Sequence, residues 1–306
     1  MRKKRNVLTK SRREILARPG VVYTIRCTGN ACDCQLFGVD CRRGFFSLWI
    51  QAVYGIYLAQ KLNIRSYVDF GDKPYLYSDP ERYHSSLNFW NYYYLQESIP
   101  GGRAVPNNYE ENYPLRIWKR NHFRAVHRSV INKLELRPEI NEYIQALLSK
   151  FKGLRTLGVH VRQTDHAQEV PAVPMDQYYR VINKCIKHYE KIFLATDDQK
   201  TLESFMEEFG SERLVFQPAV RSINGQAVHT DLQHSDRYRL GLEVLADCYA
   251  LAACHKAVLV HSNVSYGSLI INPELSYTLL ETKHSFRNRW KTGLLYTLDN
   301  WGIRKM

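Results

Sequence analysis

From residue 156 onward, short apolar runs alternate with amphipathic stretches at a regular spacing. TLGVHVR (156–162), KIFLATD (191–197), RLVFQP (213–218) and AVLVHS (257–262) each concentrate hydrophobic side chains over three to five positions, the pattern of buried strands. Between them, MDQYYRVINKCIKHY (175–189), DQKTLESFMEEFG (198–210) and GLEVLADCYALAACH (241–255) repeat apolar residues with helical period, and NVSYGSLI (263–270) starts another helix. Strands alternating with helices predict βαβ units and a parallel sheet, so the fold class is α/β. Functional residues are then expected at the carboxyl ends of the strands, where the connecting loops open into a crevice.

The first half has a different texture. FFSLWIQAVYGIYLAQKLN (45–63) is apolar on most faces and long enough for a buried helix, with RSYVDF (65–70) following as a short strand. An aromatic stretch runs from Tyr75 to Tyr94. Gly101, Gly102, Pro106 and NNYEEN (107–112) predict an open loop. Residues 113–134 read as helical, and Pro138 suits the first turn of a further helix. The change of character places a domain boundary near residue 152, giving domains 1–152 and 153–306. Residues 286–306 show no clear pattern and are free to cross back to the first domain.

A chain of 306 residues favours two domains over one core. The 21 tyrosines suit sugar recognition, because each ring pairs an apolar face with a hydrogen-bonding edge; simple packing is the bland alternative. A formal charge of +13 implies an anionic partner, whether nucleotide diphosphate, anionic lipid or nucleic acid. The basic residues are scattered without a nucleic-acid motif, so nucleic acid is not expected. The opening MRKKRNVLTKSRRE is basic with no apolar run behind it, which argues against a signal peptide and for a solvated arm able to rest on an anionic membrane. No stretch is apolar enough to span a bilayer, so a cytoplasmic protein, peripheral at most, is expected. Seven cysteines without a secretory signal imply reduced thiols, and the cluster Cys27, Cys32, Cys34 and Cys41 lacks paired C-x2-C zinc knuckles.

Three polar clusters sit at the ends of apolar runs. In GVHVRQTDH (158–166), period-two alternation puts His160, Arg162 and Thr164 on one side, with Asp165 following. A guanidinium at a strand end can grip two phosphate oxygens, or simply pair with Asp165. In LATDD (194–198), Asp197 and Asp198 suit metal binding, orientation of the arginine, or an N-cap on the next helix. Asp247 is a carboxylate on an otherwise apolar helix, costly unless paired. A guanine, with its ring N–H and exocyclic amine, would satisfy it; so would an arginine. Ser262 and Asn263 stand where strand turns to helix, fit for phosphate or for an ordinary cap.

Together, HVR-x-TD, LATDD, and the Asp247 helix with its S-N-V turn resemble the α-1,6-fucosyltransferases and related bacterial nodulation fucosyltransferases, over residues 157–268. The first half matches only through a turn containing Gly44 before the long helix. The resemblance implies two Rossmann-like domains of the GT-B type, with a metal-independent, inverting transfer from GDP-fucose to a saccharide; a lipid-linked saccharide acceptor would fit the missing membrane span and the basic amino terminus. The resemblance assigns Arg162 to the β-phosphate, His160 and Asp247 to the guanosine end, Ser262 and Asn263 to the phosphate side, and Gly44 to donor binding. Asp165, Asp197 and Asp198 support the site, and Glu169, after a one-residue gap, aligns with the candidate base. Two positions depart from the pattern: His166 replaces a loop lysine and Gln163 replaces a second arginine. The same fold using another nucleotide sugar, or a non-catalytic basic protein binding glycan or nucleic acid, is the competing reading.

Overall fold

The computed structural model describes residues 10–28, 41, 43–79, 86–98, 102–163, 172–222 and 236–300. The chain divides into two compact units. One comprises Met1–Arg137, Asp236–Gly241 and Thr292–Met306, the other Pro138–Ser235 and Leu242–Lys291.

The first unit begins with helix α1 (Lys10–Leu16) and strand β1 (Val21–Ile25). The basic amino-terminal segment is therefore not all solvated arm. Leu16 is fully buried, and Arg12 pairs with Glu111 at 3.2 Å while Glu111 also accepts from the Tyr23 hydroxyl at 2.7 Å. Helix α2 (Phe45–Lys61) follows, then strand β2 (Arg65–Val68) and strand β3 (Arg103–Pro106). They form a parallel sheet in the order β2-β1-β3. β1 is buried along its whole length, so it shows a continuous apolar run and no alternation. Gly55 lets α2 close onto it, since a Cβ there would fall 2.6 Å from the Ile25 side chain.

The segment expected as an open loop instead holds β3 and one helical turn, α3 (Tyr109–Asn112). Asn108 and Glu111 cap that turn reciprocally: Asn108 Oδ1 accepts from the Glu111 N–H, and Glu111 returns the bond. Helix α4 (Arg120–Val130) starts seven residues later than the periodicity suggests, after an extended Lys119 at its N-cap. The aromatic stretch is core. Tyr75, Tyr77, Phe89, Trp90, Tyr92, Tyr93 and Tyr94 are all buried, with Phe70 stacked on Phe89 at 5.1 Å and Trp90 on Tyr94 at 4.4 Å. Their hydroxyls are engaged internally: Tyr94 accepts from Trp49 Nε1, and Tyr93 donates to the Tyr238 carbonyl. Among these residues it is packing, the bland alternative to sugar recognition, that uses the rings.

The second unit holds helix α5 (Pro138–Ser149), strand β4 (Thr156–Val161), helix α6 (Met175–Asn183), strand β5 (Lys191–Thr196), helix α7 (Gln199–Phe209) and strand β6 (Leu214–Val215). Helix α8 (Arg237–Ala253) leads from the first unit into it, followed by strand β7 (Lys256–Val260), helix α9 (Asn263–Ile271) and strand β8 (Ser276–Leu280). All five strands are parallel in the order β6-β5-β4-β7-β8. Leu157, Val159, Val161, Ile192, Leu194 and Val258 centre its core. At Gly158 a side chain would meet Cys254 Sγ at 3.0 Å, so the glycine lets α8 lie close against the central strand. The last helix, α10 (Lys283–Asn300), occupies the stretch where no pattern was legible. No disulfide joins the described cysteines; Cys27 and Cys41 are buried, and Cys32 and Cys34 lie outside the described residues.

Candidate functional site

The order of the five-stranded sheet sets where a ligand fits. From β4 the chain builds outward through β5 to β6, then returns to the other side of β4 with β7 and β8. Connections leave β4 and β7 in opposite directions, which opens a crevice at their carboxyl ends.

His160 lies at that point. Its Nδ1 is 2.8 Å from Ser265 Oγ and 3.2 Å from Ser262 Oγ, so two hydroxyls from the β7–α9 turn fix the buried imidazole of β4. Ser262 is the N-cap of α9; its Oγ accepts from the Ser265 N–H at 3.1 Å. Both readings of Ser262 are thus compatible, since a cap satisfies one N–H and leaves the helix's positive end facing the same crevice. Asn263 is the first residue of the helix. Ser265 was not singled out in the sequence, where a serine inside a helix carries no positional signal.

Arg162 follows β4 directly and is half-buried. The buried Tyr178 hydroxyl of α6 lies beside its backbone and beside Asp197; burial and the Asp197 charge push the tyrosine pKa up, against the pull of the Arg162 backbone. Asp197 directly follows β5, where its carbonyl accepts from the Ser222 N–H at 2.8 Å. Asp198 caps α7, with one carboxylate oxygen accepting from both the N–H and the hydroxyl of Thr201 at 2.8 Å. Asp198→Ala is expected to lower stability by about 1–2 kcal/mol in chemical denaturation. Asp198→Asn should recover most of that loss, because an amide oxygen still accepts. If the alanine variant unfolds at the wild-type midpoint, the cap is energetically idle. Among the described residues, no group of three or more His, Cys, Asp or Glu side chains is placed to hold a metal.

Asp247 projects from α8 into a polar pocket of its own. Gln217 Nε2 donates to its Oδ1 at 2.5 Å and to the Glu243 carbonyl at 2.6 Å, and the Tyr143 hydroxyl meets Gln217 Oε1 at 3.3 Å. The residue keeps some accessible surface while its carboxyl group is enclosed. Burial pushes its pKa to about 7; Gln217 and Arg221 oppose the rise, and Glu243 and Asp197 add to it. Arg221, itself depressed by burial, donates to the Gln217 and Ala219 carbonyls at 2.8 and 3.1 Å. Neither Gln217 nor Arg221 was identifiable from the sequence, because the segment after β6 carries no periodicity. The influence of Asp197 on Asp247 and on Tyr178 ties the α8 carboxylate to the carboxyl ends of the central strands.

Asp165, His166 and Glu169 lie outside the described residues. Gly44 belongs to the first unit, where it is the N-cap of α2 with an extended backbone; a Cβ there would meet nothing within 4 Å.

No family model and no curated protein matches the chain. Among solved structures, fucosyltransferase NodZ from Bradyrhizobium is similar at a TM-score of 0.45 and 18% identity, over 84% of this chain and 94% of that one. POFUT1 in complex with GDP gives 0.46 and 9%, over 87% and 99%. A variant of FUT1 from Arabidopsis thaliana in complex with GDP gives 0.44 and 11%, over 88% and 72%.

Proposed function

We propose that the chain is a glycosyltransferase that moves fucose from GDP-fucose to a saccharide acceptor, with inversion and without a metal. The observation that supports this reading is that His160, Arg162, Asp197 and Ser262 each stand at or just past the carboxyl end of β4, β5 or β7, around the switch point of a parallel sheet, with Ser262 bonded to His160. A guanidinium and a helix amino terminus at such a crevice suit a diphosphate. The acidic Asp247 nearby suits the guanine end, and its Gln217 partner stands in for the N–H donors a base would bring.

In the proposed reaction an acceptor hydroxyl oxygen attacks the anomeric carbon from the face opposite the diphosphate. The bond from that carbon to the β-phosphate oxygen breaks, GDP leaves with the electron pair, and the acceptor proton passes to a base. Negative charge grows on the β-phosphate as the sugar gains oxocarbenium character, and Arg162 with the α9 amino terminus stabilises it. Glu169 takes the proton, with Asp165 and His166 beside it in the same loop of sequence.

The saccharide or lipid-linked acceptor and the peripheral location belong to the same proposal. No helix among the described residues is long and apolar enough to cross a membrane. Incubation with GDP-fucose, GDP-mannose, UDP-glucose and UDP-N-acetylglucosamine tests the reading. Slow release of GDP from GDP-fucose above the other donors is expected, since water competes poorly but measurably as an acceptor. Release from a UDP sugar alone would replace the donor. Release from none, with GDP still bound, would make the chain a binding protein.

A further inference from the structure

The opening turns of α10, Lys283–Lys291, carry a surface that the donor site does not use. Ser285 is buried, and Arg289 is held by Glu281 through two bonds of 2.7 Å, so these two mark the inward side of the helix. At 3.6 residues per turn, Phe286 and Trp290 lie about 100° further round, one above the other on the flank of the helix, with the Arg289 guanidinium 5.4 Å from the Phe286 ring centre. They are 52% and 62% exposed. Beside them runs a second row with the same four-residue spacing, Lys283, Arg287 and Lys291, all exposed. The stretch KHSFRNRWK contains no carboxylate, and Glu281, the nearest in sequence, is committed to Arg289.

An exposed tryptophan and phenylalanine stacked along a helix leave large apolar area in water. Paired with a parallel row of cations, they form a basic amphipathic face. We propose that this face docks on an anionic lipid bilayer surface, the helix lying in the plane of the interface. The two rings would enter the boundary between headgroups and acyl chains, and the basic row would meet the lipid phosphates. The choice of occupant rests on charge. A surface of net-negative phosphates complements three aligned cations, and the chain's overall +13 adds long-range attraction to it. A sugar stacked on Trp290 would need carboxylate or amide partners around the ring, and the side chains flanking it here are cations. The inference is independent of the donor chemistry and concerns residues outside the proposed site.

The test is sedimentation of the full chain with vesicles of phosphatidylcholine alone or containing about a third phosphatidylglycerol. Binding to the anionic vesicles only, lost at about 0.5 M salt, is expected. Phe286→Ser combined with Trp290→Ser should weaken that binding about tenfold or more, by removing the inserted area. Lys283→Glu with Arg287→Glu and Lys291→Glu should abolish it. All five positions are exposed, and a thermal midpoint unchanged from wild type verifies that the variants are folded. Neutralising the basic positions among residues 2–13 serves as the control for the amino-terminal segment. If binding vanishes in that control but survives the serine pair undiminished, the α10 face is not the docking surface. Equal binding to neutral vesicles, no binding to either, or self-association that the serine pair removes would also overturn the proposal.

Discussion

Arg162→Ala is expected to lower sugar transfer about a thousandfold while GDP-fucose still binds and the thermal midpoint stays within a few degrees of wild type. The size follows from where the charge appears. In the ground state the diphosphate charge is already spread over several oxygens and hydrogen-bonded, so one guanidinium adds modest affinity. In the proposed reaction negative charge concentrates on the β-phosphate as the bond to the anomeric carbon breaks, and a fixed cation at the end of β4 would act there without reorganising. Loss should therefore fall mainly on kcat. Arg162→Lys should recover part of it, because an ammonium keeps the charge but not the planar fork. In the same assay Glu169→Gln should bind donor normally and transfer at least a hundredfold more slowly. Wild-type turnover in the Arg162→Ala protein would remove the phosphate assignment. An unchanged rate for Glu169→Gln would move the base to Asp165 or His166.

GDP should bind more tightly as pH rises from 6 to 8, and Asp247→Asn should abolish that dependence. Burial pushes the Asp247 carboxyl to about 7 in the folded protein, so near neutrality it is protonated about half the time. Accepting the guanine ring N–H and exocyclic amine requires the ionised form, so binding releases a proton below pH 7 and levels off above it. The asparagine variant should bind GDP ten- to a hundredfold more weakly and lose preference over UDP, as charged acceptors contribute about 1.5–3 kcal/mol. Equal affinity of wild type for GDP and UDP would refute the base-recognition role. Stability carries the same signature with its own sign. A carboxyl raised in the folded state stabilises fully below its unfolded value of 3.8, and that contribution is lost as pH rises through about 7. Relative to Asp247→Asn, wild type should therefore lose on the order of 2–4 kcal/mol between pH 4 and 8.

Much of the second unit was legible because its signals are local. Strand ends at Val161, Thr196 and Val260 are marked by an apolar run breaking into His, Arg, Asp or Ser, and parallel pairing then aligns them. The first unit was harder. β1 and β3 are short; β1 is buried throughout, and the capped turn at Asn108 looks like loop composition until its bonds are seen. Helix α10 was illegible for a different reason: Phe286 and Trp290 are exposed, so its apolar positions do not sort onto one buried side.

By itself, then, the sequence determined the α/β class and the βαβ succession, and it identified the polar residues that end successive strands. Those follow from periodicity and from the chemistry of single side chains, both of which are properties of neighbouring residues. Only the tertiary structure decided which of those residues share one place. Strand order β6-β5-β4-β7-β8 brings Ser262 and Ser265 to His160 across about a hundred residues, and the α8 packing brings Gln217 to Asp247 across thirty. It also decided that the aromatic stretch is core and that Asp198 caps a helix. Burial and long-range pairing depend on the whole chain's packing, and no local pattern encodes them.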